Sequence, residues 1–416
     1  MACERGNYCS GAMSSPRRWA PHAKAAPGVH LPPEFQLVAA CCRWPPSPAR
    51  DEALAAAAAG GVDWALVLRI AERHRVEGLV WSALSRSAAP VPEDVGERLQ
   101  AAAARIVRQN LVLTGESLRL TALLERAEVR HLFVKGVTLG VLAYGSIGPK
   151  MGWDIDLLVP LESVEAAAAA LESAGYRLAL PAGPRARERL GLWHRHWKES
   201  VWAKPDGNLT VELHSRLNDN PLLLPEIGSD SPRQQVEVSK GRSLATLRTD
   251  ELFAYLCVHG ASSAWFRLKW IADVGALLGS SPPAEIERLY RRSQALGAGR
   301  APAQALLLCE RLFATELPAA LAAELRSDPV NRWLLAVSLR KLAGRTITAE
   351  LDEKLLGTGT IHLMQFALLP GLKFKFAELR RQLVNPADRV AVPLPSALGF
   401  LYPLVAMRRV LARRGR

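Results

Sequence analysis

Asp154 and Asp156 stand in the stretch Gly152-Trp-Asp-Ile-Asp-Leu-Leu-Val159, where an acidic pair begins an apolar run. Residues two apart on a β-strand project to the same face, so both carboxylates are expected to point together. Two like charges at that spacing are costly unless they share a cation or a proton. A divalent metal is the economical explanation. Asp-x-Asp also arises as a turn or a helix cap in which each carboxylate accepts backbone hydrogen bonds, and the tripeptide alone does not separate the two.

The neighbouring elements favour the metal. Val129-Arg-His-Leu-Phe-Val134 reads as a strand running into Lys135-Gly136, followed by a helix from Val137 to Tyr144, a Gly/Pro loop from Gly145 to Pro149, and the acidic strand. Strand, helix and second strand bring the Lys-Gly turn close to the carboxylates, which sets a phosphate site beside a metal site. Downstream, Trp197–Lys204 and Asn208–His214 read as two strands joined by the hairpin turn Pro205-Asp-Gly-Asn208. Alternation along the second puts Thr210, Glu212 and His214 on one face.

Four stretches organise the chain. Residues 1–32 carry Arg5, Arg17, Arg18, Lys24 and several prolines but no apolar core of a secretory signal, and read as a disordered basic tail in which Met13 is an alternative start. Residues 33–128 read as helical, through Ala53–Ala59, Trp64–Ile70 and Leu79–Leu84 to a long helix from about Val95 to Ala127. In that helix Leu99, Ile106, Leu113, Leu120 and Leu124 form a packed stripe. Residues 129–249 switch to short strands broken by Gly, Pro and Asp, with a helix over Glu162–Ala174, a strand at Tyr176–Leu180 and a ribbon of Val236–Val238 and Leu244–Leu247. Residues 250–416 return to helices: Glu251–His259, Phe266–Leu278, Glu285–Leu296, Ala301–Phe313, Pro329–Leu342 and Ile361–Leu369. A last segment runs from Leu398 to Arg414.

The 416 residues carry a formal charge of +13, which favours an anionic partner. Six cysteines, Cys3, Cys9, Cys41, Cys42, Cys257 and Cys309, show no Cys-x-x-Cys spacing, and a reducing, cytoplasmic compartment is expected. No apolar run approaches the roughly 20 residues that cross a bilayer. From Gly371 to Arg416, ten Lys and Arg face two acidic residues. With Leu398–Val405 alongside, this basic segment is compatible with peripheral membrane contact or, more simply, with a solvated helix.

Lys135-Gly136, Lys150, Asp154-Ile-Asp-Leu-Leu-Val159 and Val211-Glu-Leu-His214 together resemble the uncharacterised nucleotidyltransferase family of the polymerase-beta-like superfamily, whose members are often found in lasso-peptide and polysaccharide gene clusters. The likeness extends to His194 and His196, to Leu256-Cys-Val-His259 and to Leu268-Lys-Trp-Ile-Ala-Asp273. It implies an α+β fold, a small mixed sheet flanked by N-terminal and C-terminal helical regions. Asp154, Asp156 and Glu212 are then the catalytic carboxylates and hold two magnesium ions, with Glu212 also receiving the acceptor's proton. Lys135, Gly136, Lys150 and His214 are the expected nucleotide-binding residues, ATP the expected nucleotide, and a hydroxyl or phosphate of a small molecule or peptide the expected acceptor. Two positions depart from the pattern: Lys150 stands where the family more often has Arg, and Trp153 replaces a small residue before the acids.

Lys135 and Trp153 also suit an alternative, a catalytically reduced module that binds nucleotide or a biosynthetic partner. A basic helical nucleic-acid binder is a third reading, which the lack of a helix-turn-helix signature and of base-stacking aromatics along a basic strand disfavours. Two smaller groups remain open. His194 and His196, between Trp193 and Trp197, form either an acceptor-side group or a half-buried aromatic loop. Lys269 and Asp273, four apart on a helix, either face the cleft with His259 or pair with each other.

Overall fold

Among the described residues, five helices precede the first strand: α1 (Pro33–Cys41), α2 (Pro48–Ala59), α3 (Trp64–His74), α4 (Glu77–Leu84) and α5 (Glu93–Arg126). Local chemistry starts them. The Ser47 hydroxyl accepts from Arg50 N–H and the Asp63 carboxylate from Leu66 N–H, each satisfying an amide that the helix leaves over. In α5 the predicted stripe of Leu99, Ile106, Leu113, Leu120 and Leu124 is buried. The computed structural model describes residues 29–279, 281–343, 357–384, 388–389, 392, 394–402 and 404–405. Nearly all of the predicted N-terminal tail, with Met13, and the arginines from Arg408 onward lie outside the described residues.

Strands β1 (Leu132–Phe133), β2 (Ile155–Leu158), β3 (Arg177–Leu180), β4 (Glu199–Ala203) and β5 (Thr210–His214) form one mixed sheet in the order β1-β2-β5-β4-β3. Only β2 and β5 run parallel. Helix α6 (Val137–Tyr144) lies between β1 and β2, α7 (Val164–Ser173) between β2 and β3, and α8 (Leu190–His196) between β3 and β4. A separate antiparallel ribbon, β6 (Arg233–Ser239) with β7 (Arg242–Leu247), leads to α9 (Thr249–Ser262), α10 (Leu268–Leu278), α11 (Pro283–Ala295) and α12 (Ala301–Phe313). After them come α13 (Ala319–Ser327), α14 (Pro329–Ala343), α15 (Gly357–Ala367) and α16 (Leu372–Leu383). The class is therefore the α+β one expected, a mixed sheet between helical regions.

Alternation splits the sheet into two faces. Ile155, Leu157, Trp202, Val211 and Leu213 pack with Leu113, Leu120 and Leu124 of α5 and Val164, Ala168 and Leu171 of α7 in one core. The opposite face keeps the polar side chains of β2, β5 and β4. A second, larger core runs from Phe35 and Ile70 through Phe253 and Ile271 to Leu306 and Leu342, so helices from both ends of the chain share it.

Three local expectations change. Strand β1 is two residues rather than six, because Glu128 takes a positive φ of 54° and Val129 N–H closes α5 by donating to Leu124 O. Asp154 precedes β2 instead of lying within it. Helices α13 and α16 were not anticipated; the charge of the last stretch obscures a period that buries Phe374 and Glu378 of α16.

His74 ties the two ends together. Leu268 N–H donates to its Nδ1 at 3.0 Å, which fixes the proton on Nε2, and Nε2 donates to Leu342 O at 3.1 Å. Burial, aided by Arg73, pushes its pKa well below the ordinary value. A depressed folded pKa means the unfolded chain takes up the proton first, so stability is full above pH 6.5 and falls as pH drops below it. Between pH 7.5 and 5.5 this residue alone costs about 1.4 kcal/mol. His74→Gln removes the titration; in urea unfolding the wild type is expected to lose about 1.4 kcal/mol more than the variant over that interval. Equal losses would count against the buried neutral imidazole.

The loop before β2 is positioned from α5. Buried Asn110 donates through Nδ2 to Ile147 O at 2.5 Å and to Lys150 O at 2.6 Å. A Cβ on Gly152 would come within 2.7 Å of Asn110 Oδ1, so only glycine lets the loop pass this close to the helix. Asn110→Leu strands both carbonyls, and a loss of about 1–3 kcal/mol in thermal or urea unfolding is expected.

Candidate active site

Lys135 leaves β1 and Gly136 begins α6 with φ 67° and ψ −130°, a left-handed conformation that glycine adopts without strain. This turn delivers the Lys135 side chain to the polar face of the sheet. Its Nζ lies 2.7 Å from Asp156 Oδ1. The parallel register sets Asp156 beside Glu212, and the antiparallel register sets His214 opposite Glu199. Three acids and an imidazole thus meet on adjacent strands.

His214, fully buried, holds the group together. Its Nε2 lies 3.3 Å from Asp156 Oδ1 and 3.5 Å from Glu212 Oε2, while Nδ1 lies 3.3 Å from Glu199 Oε2 without hydrogen-bond geometry. Glu199 in turn pairs with Lys198. Burial alone lowers an imidazole's affinity for a proton, but the bonds to Asp156 and Glu212 outweigh it and raise the His214 pKa. Asp156 shows the converse. Burial opposes its charge, yet Lys135 and His214 hold its carboxyl well below the usual carboxylate range.

Asp154 sits at the edge of this group. Burial, followed by repulsion from Asp156, pushes its carboxyl up to about 6. Lys269 of α10 is linked to it by charge: burial lowers the Lys269 ammonium to about 7, Lys150 and Arg75 push in the same direction, and Asp154 opposes them. Lys150 Nζ lies 3.5 Å from Asp273 Oδ2, and Tyr144 donates to Asp273 Oδ1 at 3.0 Å. The ion pair of Asp273 is therefore with Lys150, not the pairing with Lys269 that the sequence left open.

A cation would find donors here. Among the described residues, ligand atoms of Asp156, Glu212 and His214 lie within 4.8 Å of one another. Asp154, the first carboxylate of the sequence pair, stands just before β2 and is outside that set. The family described as uncharacterised nucleotidyltransferase matches residues 60–314, more than half of the chain. The chain belongs to this family.

Membership supports a general nucleotidyl-transfer role, with a nucleoside triphosphate as substrate. Comparison with curated proteins returned no match. The match of this nucleotidyltransferase family spans α3 to α12, and so takes in Lys135, Gly136, Lys150, Asp154, Asp156, Glu212 and His214. Sequence reasoning passed over Glu199, although alternation with Val201 and Ala203 along β4 carried the signal, and over Tyr255 of α9. The Tyr255 phenol is pushed up to about 12 by burial, against the opposing charge of Lys135 and with that of Asp156. His194 and His196 lie on α8 rather than in a loop. His194 rests between Ser215 Oγ at 3.0 Å and Ser200 Oγ at 2.9 Å, the arrangement of a satisfied core histidine. Among the described residues, no helix is long and apolar enough to cross a membrane.

Proposed function

We propose that the protein is a magnesium-dependent nucleotidyltransferase that moves a nucleotidyl group from a nucleoside triphosphate, with ATP as the first candidate, to a hydroxyl or phosphate of a small molecule or peptide. Natural-product or polysaccharide biosynthesis is the proposed setting. The observation that carries this reading is the convergence of Asp156, Glu212 and His214 within 4.8 Å in a member of this family. The carboxylates of Asp156 and Glu212 fit a hard divalent cation, with a further oxygen from Asp154 nearby, while His214, whose Nε2 donates to Asp156, orients them. Bound magnesium supplies charge neutralisation for the triphosphate and lowers the pKa of the acceptor hydroxyl.

The chain's own residues do the rest. Lys269, which acts on Asp154 and has Lys150 among its own neighbouring charges, brings positive charge suited to a polyphosphate to this edge. Glu212, one-quarter exposed, is open enough to take the acceptor's proton directly or through water. Asp156, held ionised by Lys135 and His214, stays negative wherever the enzyme works. The exposed apolar edge of α16, with Leu372, Phe376, Leu379 and Leu383 beside Lys373 and Lys375, supports the proposal of peripheral membrane contact in the basic C-terminal region.

The Lys135–Asp156 contact favours a second reading, in which the site binds nucleotide without turnover because an ammonium already neutralises the central carboxylate. Incubation with nucleoside triphosphates labelled at the α-phosphate, magnesium and pools of hydroxylated and peptide acceptors separates the two. Label transferred to an acceptor supports the enzyme and removes the second reading. Failure of all four nucleotides to bind in magnesium, measured by titration calorimetry, would defeat both.

A further inference from the structure

Trp153, next to Asp154, does not fill the site. Its indole is 55% exposed and forms a wall of a cavity of about 370 Å³ between α5, the start of α4 and the loop before β2. That volume lies at the low end of the range for small-molecule sites, about 300–1,000 Å³. The Arg75 guanidinium stands over the indole, its Cζ 5.4 Å from the ring centroid. A planar cation already seated on this face shows that it accepts flat, delocalised groups. Glu77 and Gln109 also line the cavity. Glu77 Oε2 is buried without a hydrogen-bond partner, an acceptor that a ligand could satisfy.

The cavity is joined to the carboxylates by charge. Trp153 of the cavity wall is the chain neighbour of Asp154, and the Lys269 ammonium feels the charges of both Asp154 and the cavity's Arg75. We infer that this cavity is the nucleobase subsite: a purine stacks on Trp153 and presents its hydrogen-bonding edge to Glu77 and Gln109, while the triphosphate lies toward Lys269 and Lys150. The inference rests on the nucleotidyltransferase reading and adds the residues that would choose the nucleotide. Every base has a π-face, so stacking on Trp153 supplies affinity without discrimination. Glu77 supplies the discrimination. Burial raises its carboxyl to about 7, and a neutral carboxyl offers the donor and acceptor that complement adenine, whereas an ionised one offers two acceptors for guanine.

Calorimetric titration of the full chain in magnesium with ATP, GTP and inorganic tripolyphosphate tests the assignment. Wild type is expected to bind ATP at least tenfold more tightly than tripolyphosphate. Trp153→Ala should weaken ATP and GTP by about 10-fold or more and leave tripolyphosphate unchanged, since base stacking on an aromatic is worth about that much. Glu77→Gln should shift the ATP:GTP affinity ratio at least fivefold. Equal affinity of wild type for ATP and tripolyphosphate, or unchanged nucleotide affinity in Trp153→Ala, overturns the subsite while leaving nucleotidyl transfer standing. Binding of neither ligand overturns both.

Discussion

Asp154→Asn is expected to lower nucleotidyl transfer by about 10³-fold, equivalent to about 4 kcal/mol of transition-state stabilisation, with no loss of thermal stability. The two halves of this expectation have different origins. Lys269 is among the charges that act on Asp154, and at a metal Asp154 would contribute an oxygen that an amide replaces only poorly. Its charge is also unwelcome in the fold: burial and Asp156 already push its carboxyl to about 6, so removing it relieves repulsion. Turnover of α-labelled nucleoside triphosphate and the melting temperature measure the two halves. Undiminished turnover in the variant would remove Asp154 from the catalytic machinery.

Lys135→Ala is expected to destabilise the protein by about 3–5 kcal/mol, because it leaves the buried Asp156 carboxylate without the ammonium that lies 2.7 Å from it. Asp156→Ala fails for the mirror-image reason, stranding Lys135, so inactivity of that variant would confound folding with chemistry. The double replacement Lys135→Met with Asp156→Leu removes both charges and preserves volume. It should recover most of the stability in urea unfolding and none of the activity. A Lys135→Ala variant as stable as wild type would show that water, rather than Lys135, compensates Asp156.

Much of the site was legible because its signals are local. The alternation of Thr210, Glu212 and His214 and the turn Pro205–Asn208 depend on neighbours within a few residues, and the strand and hairpin they predict are present. Gly136 could be read the same way, since a turn between strand and helix selects a residue that tolerates positive φ. Trp153 could not. In the sequence it stood only as a departure from the family pattern beside Asp154, and the packing of α5 and α4 around the loop is what leaves its side chain exposed at a cavity.

From the sequence alone came the α+β class, the family likeness and the carboxylates of β2 and β5, since periodicity and turn chemistry are written in consecutive residues. Tertiary structure decided the pairing of charges. Strand register set Asp156 beside Glu212 and Glu199 opposite His214, while Asp154 stands just before β2 with Lys269 among the charges acting on it. Lys135, expected to meet a phosphate, lies against Asp156. Which cation satisfies a buried carboxylate depends on distances of a few ångströms between strands and helices far apart in the chain, because Coulomb energy in a low-dielectric interior falls with separation in space and takes no account of separation in sequence.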